Sequence, residues 1–206
     1  MYLSCLDLEG VLVPEIWLCV AEHTGIDELR VTTRDIPDYD QLMRHRISVI
    51  SKNGLRLAEI QQVIDGMTPL PGAVEFLNWL RERSQVIILS DTFYQFAEPL
   101  MRQLQWPALF CNYLMIDDDG HIEGYRLRQI DQKRQVVKAL HQLNFKIIAA
   151  GDSYNDISML NEADHGILFR PPDSVARQFP QYPVTNDYEQ LRVAFGTVAV
   201  ELENQK

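Results

Sequence analysis

The sequence predicts an α/β fold, a parallel sheet covered by helices on both faces, because short apolar runs alternate with helix-patterned segments. Three runs carry that expectation: residues 3–6, 85–89 and 146–150, each short and almost wholly apolar. Each also ends in a polar triplet: Asp7-Leu8-Glu9, Ser90-Asp91-Thr92 and Gly151-Asp152-Ser153. In a parallel sheet the carboxyl ends of the strands lie along one edge, where open α/β sheets bind their ligands. The three triplets are therefore expected to meet.

The elements follow in order. Residues 14–23 read as a helix, with Pro14 at its start, Glu15 in its first turn and Gly25 ending the segment. Residues 26–40 mix charge and turn signals and read as a short helix and a loop. Helices are expected over 39–53, with Asn53-Gly54 as a stop, and over 57–67. Residues 14–68 are thus helical, without strand signals, and look like a small cap inserted after the first strand. The remaining core, residues 1–13 and 69–206, has helices over 73–83, 93–103, 132–143 and 154–163. Further strands fall at 109–116 and 165–169. Asp117-Asp118-Asp119-Gly120 is a turn of hairpin character leading into 121–126. It lacks the spaced ligands and closing Glu of a calcium loop and reads as a solvated turn. A Pro-rich loop and a helix near 188–202 complete the chain.

With 206 residues the chain is long enough for one sizeable core. A net charge of −10 argues against a general nucleic-acid binder but not against a phosphorylated substrate. The three cysteines, Cys5, Cys19 and Cys111, are scattered without metal or redox spacing and fit reduced core thiols. No signal peptide and no membrane span are expected, so the reading is a soluble cytoplasmic protein. The oligomeric state stays open, a homodimer included.

Asp7 and Glu9, one residue apart at a strand end, are the first chemical signal. Like charges at close range resist joint ionisation, and a divalent cation relieves them; hard oxygen ligands favour magnesium. Taken alone the pattern also fits an ordinary surface turn. With Asp91, Asp152 and Ser90 on the same edge, and Lys133 available from the helix before the third strand, the set suits phosphoryl transfer, which asks mainly for positioning and charge neutralisation. The five histidines show no metal-ligand spacing; His45 is noted only as a neighbour of Arg46.

Asp7-Leu8-Glu9-Gly10-Val11-Leu12, Ser90, Lys133 and Gly151-Asp152-Ser153-Tyr154-Asn155-Asp156 together resemble the four motifs of the haloacid dehalogenase superfamily, in their usual order. The resemblance spans nearly the whole chain and implies a Rossmann-like catalytic core with a helical cap. Within the superfamily the chain is most similar to phosphoserine phosphatases. Among these it is most similar to the bacterial bifunctional type that moves phosphate from phosphoserine to homoserine, through residues 7–17, 32–40 and 89–94.

The resemblance implies a role for each matching position. Asp7 would be the nucleophile that forms an aspartyl-phosphate. Magnesium would be held by the Asp7 carboxylate, the Glu9 carbonyl and Asp152, with Asp156 in the outer shell or orienting Lys133. Ser90 and Asn155 would hold the phosphoryl group, and Lys133 would neutralise both it and Asp7. Glu9 would act as general acid and then base. From the cap, Glu15 and Arg46 would hold the substrate's ammonium and carboxylate, a pairing suited to a zwitterion.

Two positions depart from the family pattern. Glu9 stands where Asp is usual, and Asp91-Thr92 stand where phosphoserine phosphatases carry two glycines. The extra methylene of Glu9 shifts a carboxylate by about an ångström, enough to affect rates. Asp91 and Thr92 would crowd the pocket or add hydrogen bonds to it. The expectation is a magnesium-dependent enzyme that passes phosphate from phosphoserine to homoserine or water. The alternatives are a phosphatase for another small phosphate monoester and a catalytically silent ligand-binding member.

Overall fold

The computed structural model describes residues 1–32, 35–36 and 38–204. Thr33, Arg34 and Pro37, within the loop expected over 26–40, lie outside the described residues.

Seven strands form one sheet in the order β4-β3-β2-β1-β5-β6-β7. They are β1 (Tyr2–Leu6), β2 (Gln85–Phe93), β3 (Ala108–Ile116), β4 (Ile122–Arg126), β5 (Lys146–Gly151), β6 (His165–Phe169) and β7 (Val184–Thr185). All neighbours run parallel except β3 and β4, the expected hairpin. At the centre Leu6 pairs with Ile88 on one side and Ala150 on the other. The ends of β1, β2 and β5 therefore lie side by side.

The continuous apolar runs follow from burial on both faces. Leu6, Ile88, Ile148 and Ala150 face one hydrophobic cluster, while Leu3, Cys5, Leu89, Ile147 and Ala149 face the other. The second cluster is closed by α6 (Gln132–Gln142), α7 (Ile157–Glu162) and α8 (Asp173–Gln178) through Val136, Val137, Met159, Leu160 and Val175. The first is closed by α4 (Ala73–Arg81), α5 (Tyr94–Gln103) and α9 (Tyr188–Asn204), with Phe76, Phe96 and Phe195 at its centre.

Between β1 and α4 lie α1 (Ile16–Thr24), a 3-10 turn at Asp27–Arg30, α2 (Tyr39–Lys52) and α3 (Leu57–Asp65). Their buried residues, among them Val20, Leu29, Met43, Ile60 and Ile64, join the first cluster. The two chain crossings into this helical stretch are tied together, Leu70 N donating to Leu12 O at 2.9 Å. On its far side Tyr125 OH donates to Asp40 at 2.6 Å and Leu57 N to Gly120 O at 2.9 Å.

Besides helix ends that shift by one or two residues, several boundaries depart from the sequence expectation near the strand ends. Helix α1 begins at Ile16 rather than Pro14, and Glu15 precedes the helix instead of sitting in its first turn. Val13 is bridged to Glu9, and Ile16 N donates to the Glu9 carboxylate, so the chain stays extended through residue 15. Strand β2 runs on through Ser90-Asp91-Thr92 to Phe93, because after an irregularity Phe93 pairs with Asn112 of β3. Residues 154–156 form a 3-10 turn before α7. In the stretch read as a Pro-rich loop, the short elements α8 and β7 also form.

Candidate active site

Asp7 continues the β1 ladder by one bond, its N–H donating to Ala150 O at 3.0 Å. Its side chain is buried, and Oδ1 accepts from Leu8 N at 2.8 Å. The chain then turns back tightly: Gly10 N donates to Val13 O at 2.8 Å, and Leu12 N and Val13 N both donate to Leu8 O. Gly10 is required twice over. Its φ of 76° lies in the left-handed region, and a Cβ there would come within 2.6 Å of the Asp152 carboxylate. The glycine turn thus brings motif one against motif four.

The turn also aims Glu9. Its Oε2 accepts from Ile16 N at 2.9 Å, an otherwise unsatisfied N–H at the start of α1. Burial, reinforced by repulsion from Glu15, pushes the Glu9 carboxyl up to about 8. Glu15 itself caps no N–H by its side chain and, like Glu9, lines a small cavity at this edge of the sheet.

Lys133 stands in the first turn of α6, the end where the helix dipole disfavours a cation. Carboxylates hold it there. Nζ lies 2.8 Å from Asp7 Oδ1, 2.6 Å from Asp156 Oδ1 and 3.8 Å from Asp91 Oδ2. Burial works against its charge, but the three carboxylates outweigh burial and raise its pKa well above the ordinary lysine value. The Asp156 Oδ2 accepts from Asp152 N at 2.9 Å and Ser153 N at 3.1 Å. Both Asp156 oxygens are therefore engaged by the protein, which suits a supporting role more than direct ligation.

Asp7, Asp152 and Asp156 bring carboxylate oxygens within 4.8 Å of one another. One lysine cannot balance three carboxylates. Burial, with repulsion from Asp156, raises the Asp7 pKa well above the usual carboxylate range, and the same two causes bring Asp152 to about 7. A hard divalent cation relieves that excess, and the all-oxygen donor set fits one. Asp117, Asp119 and His121 also cluster. There Asp117 accepts from the N–H groups of Asp119 and His121 and bonds the His121 ring, as a solvated turn does.

The remaining candidates line one cavity of about 240 Å³: Ser90, Asp91, Thr92 and Asn155 on the sheet side, Glu15 from the segment before α1 and Arg46 from α2. Arg46 is buried, its Cζ 4.7 Å from the centroid of the Trp17 ring and its Nη2 donating to Val31 O at 3.0 Å. Its Nε is buried with no partner among the described residues. Burial lowers its pKa, opposed by Glu9, Tyr39 and Glu15. Four supports of this cavity were not singled out from the sequence: Trp17 beneath Arg46, and Tyr39, Asn112 and Gln132 against Asp91. Gln132 directly precedes Lys133, and that adjacency was its available signal; the others are joined only by the fold.

These elements occupy the edge and order expected from the sequence, and the family model of the haloacid dehalogenase-like hydrolases matches residues 6–164. The chain belongs to that family. Among curated relatives it is 59% identical over 195 residues to "Phosphoserine phosphatase ThrH" of Pseudomonas aeruginosa, covering 95% of each chain. It is 58% identical over 193 residues to "Phosphoserine phosphatase" of Pseudomonas syringae, covering 94% of this chain and 81% of the relative. Among solved structures, a phospho-aspartyl intermediate analogue of phosphoserine phosphatase superposes with a TM-score of 0.78 at 20% identity, covering 94% of this chain and 98% of the other. A substrate-bound phosphoserine phosphatase complex does so with the same score and identity, covering 94% and 97%. At that identity the structural likeness shows the shared haloacid dehalogenase-like fold. No helix among the described residues is long and apolar enough to cross a membrane.

Proposed function

We propose that this haloacid dehalogenase-like hydrolase is a magnesium-dependent phosphotransferase and phosphatase, taking phosphate from phosphoserine through an aspartyl-phosphate and passing it to homoserine or water. The observation that carries the reading is one small cavity with two unlike walls. One wall is lined by Asp7, with the buried Lys133 behind it at 2.8 Å, and the other presents Glu15 and the under-satisfied Arg46. The first suits a phosphoryl group and the second an amino acid's ammonium and carboxylate. The 59% identity to a protein named phosphoserine phosphatase supports the donor. The resemblance to the bifunctional bacterial type supports the acceptor.

Asp7, Asp152 and the Glu9 carbonyl would hold magnesium, which supplies positive charge against the phosphoryl oxygens. Asp7 attacks phosphorus and forms the acyl phosphate as the ester P–O bond breaks. Glu9, held protonated by its surroundings, gives its proton to the departing serine oxygen. Glu9 then takes the proton of the acceptor hydroxyl as that oxygen attacks phosphorus and frees Asp7. Lys133 keeps Asp7 from repelling the incoming phosphate. Ser90 and Asn155 fix the phosphoryl oxygens, with Asp91 and Thr92 beside them, and Asp156 holds Lys133. Residues 14–68 serve as the cap that selects the substrate, and 1–13 with 69–206 as the catalytic core.

Two experiments test this reading. Arg46→Ala should weaken phosphoserine by about 2–5 kcal/mol, the range for truncating one partner of a buried charge pair. A generic aryl phosphate, lacking the amino-acid groups, should lose much less. Equal losses in kcat/KM for both substrates would assign Arg46 to the fold or the phosphate. Removal of divalent ions by a chelator should stop turnover, with magnesium restoring it and calcium doing so poorly, since calcium takes more ligands at longer distances. Undiminished turnover in excess chelator would remove the metal from the mechanism.

A further inference from the structure

Asp91 stands among the groups that the proposed mechanism assigns to phosphate. Its Oδ2 lies 3.8 Å from Lys133 Nζ and accepts from Asn155 Nδ2 at 3.0 Å, while Oδ1 accepts from Gln132 Nε2 at 3.1 Å. Its main chain is held separately. Tyr39 OH and Asn112 Nδ2 donate to Asp91 O at 2.9 and 3.2 Å. The carboxylate could therefore lose its charge without the strand losing its position. About a third of the side chain is exposed (35%). It borders both the 240 Å³ cavity and a second of about 850 Å³, whose apolar side includes Leu127, Ile130 and Tyr154.

An ammonium and two amide N–H groups around one carboxylate are the partners a phosphoryl oxygen would take. We propose that Asp91 is a built-in counter-anion, which keeps Lys133 and Asn155 in place and weakens the site's hold on phosphate groups. Two anions competing for the same donors repel each other, so the resident one lowers the affinity of the arriving one. For a transferase this is useful. Its phosphorylated product carries the same groups as its donor, and a site that bound both tightly would gain no rate from that affinity. The inference rests on the reading of this cavity as the phosphate site.

The test is equilibrium binding of inorganic phosphate, in the presence of magnesium, to the wild-type protein and to Asp91→Asn and Asp91→Glu. Asparagine keeps the shape and can still accept from Asn155, but carries no charge. Asp91→Asn should bind phosphate on the order of tenfold more tightly, the scale of one screened charge pair. Asp91→Glu, which keeps the charge, should show no such gain. L-serine, which lacks the phosphate, should bind all three proteins alike. Asp91→Ser provides the same loss of charge should the asparagine variant fold poorly. Equal or weaker phosphate binding by the neutral variants would overturn the proposal. Weaker serine binding alone would make Asp91 an ammonium-binding residue and overturn it as well. If neither wild type nor variants bind phosphate, the phosphate-site reading itself fails; tight and equal binding by all removes only the role of Asp91.

Discussion

Asp7→Asn is expected to lower turnover by at least about 10³-fold while the protein stays folded. An amide oxygen is a poor nucleophile, and no other carboxylate replaces it in place. Glu9 is tied to Ile16 N, and both Asp156 oxygens are engaged. The asparagine can still accept from Leu8 N and Lys133, the two contacts Asp7 makes through Oδ1. The local structure therefore has little reason to change. Turnover and melting temperature measured together separate the two effects. Substantial activity in a preparation free of wild-type enzyme would take the nucleophile's role away from Asp7.

Lys133→Met should abolish turnover and destabilise the metal-free protein by roughly 3–5 kcal/mol, the cost of leaving buried partners of an ion pair uncompensated. The lysine is nearly inaccessible and is shared by Asp7 and Asp156 at 2.8 and 2.6 Å. Without it these carboxylates face each other and Asp152 with no cation. Magnesium should recover part of the lost stability in the variant, because it neutralises the same cluster. Denaturant unfolding with and without magnesium reads both quantities. Unchanged stability in the metal-free variant would mean that the carboxylates carry no net charge at rest and that Lys133 is not their counter-ion.

The sheet was legible because its central strands are buried on both faces, so β1, β2 and β5 each spell an almost wholly apolar run. The polar triplets after them were legible for the same reason, as abrupt ends to those runs. What escaped depended on contacts between distant residues. The start of α1 is set by Glu9, which takes the Ile16 N–H across a glycine turn, and no local propensity encodes that bond. The end of β2 is set by β3, whose Asn112 pairs with Phe93 beyond an irregularity. Asp91 was readable as a departure from a glycine pair. Its ring of partners, Gln132, Asn155 and Lys133, comes from two other segments and is visible only once these are folded together. Arg46 could be matched to the family by position, but the Trp17 ring beneath it and its unpartnered Nε belong to the packing.

The choice of acceptor separates a phosphotransferase from a plain phosphatase. An aspartyl-phosphate goes to whichever hydroxyl is held in line and deprotonated. Glu9 reaches farther than an aspartate would, and homoserine could place its ammonium on Glu15 and its carboxylate on Arg46. With phosphoserine as donor, free phosphate and phosphohomoserine should be quantified together as homoserine is raised. Phosphohomoserine is expected to rise while phosphate release falls. Phosphate release that continues unchanged, with no phosphohomoserine at any homoserine concentration, would contradict it and leave a plain phosphatase.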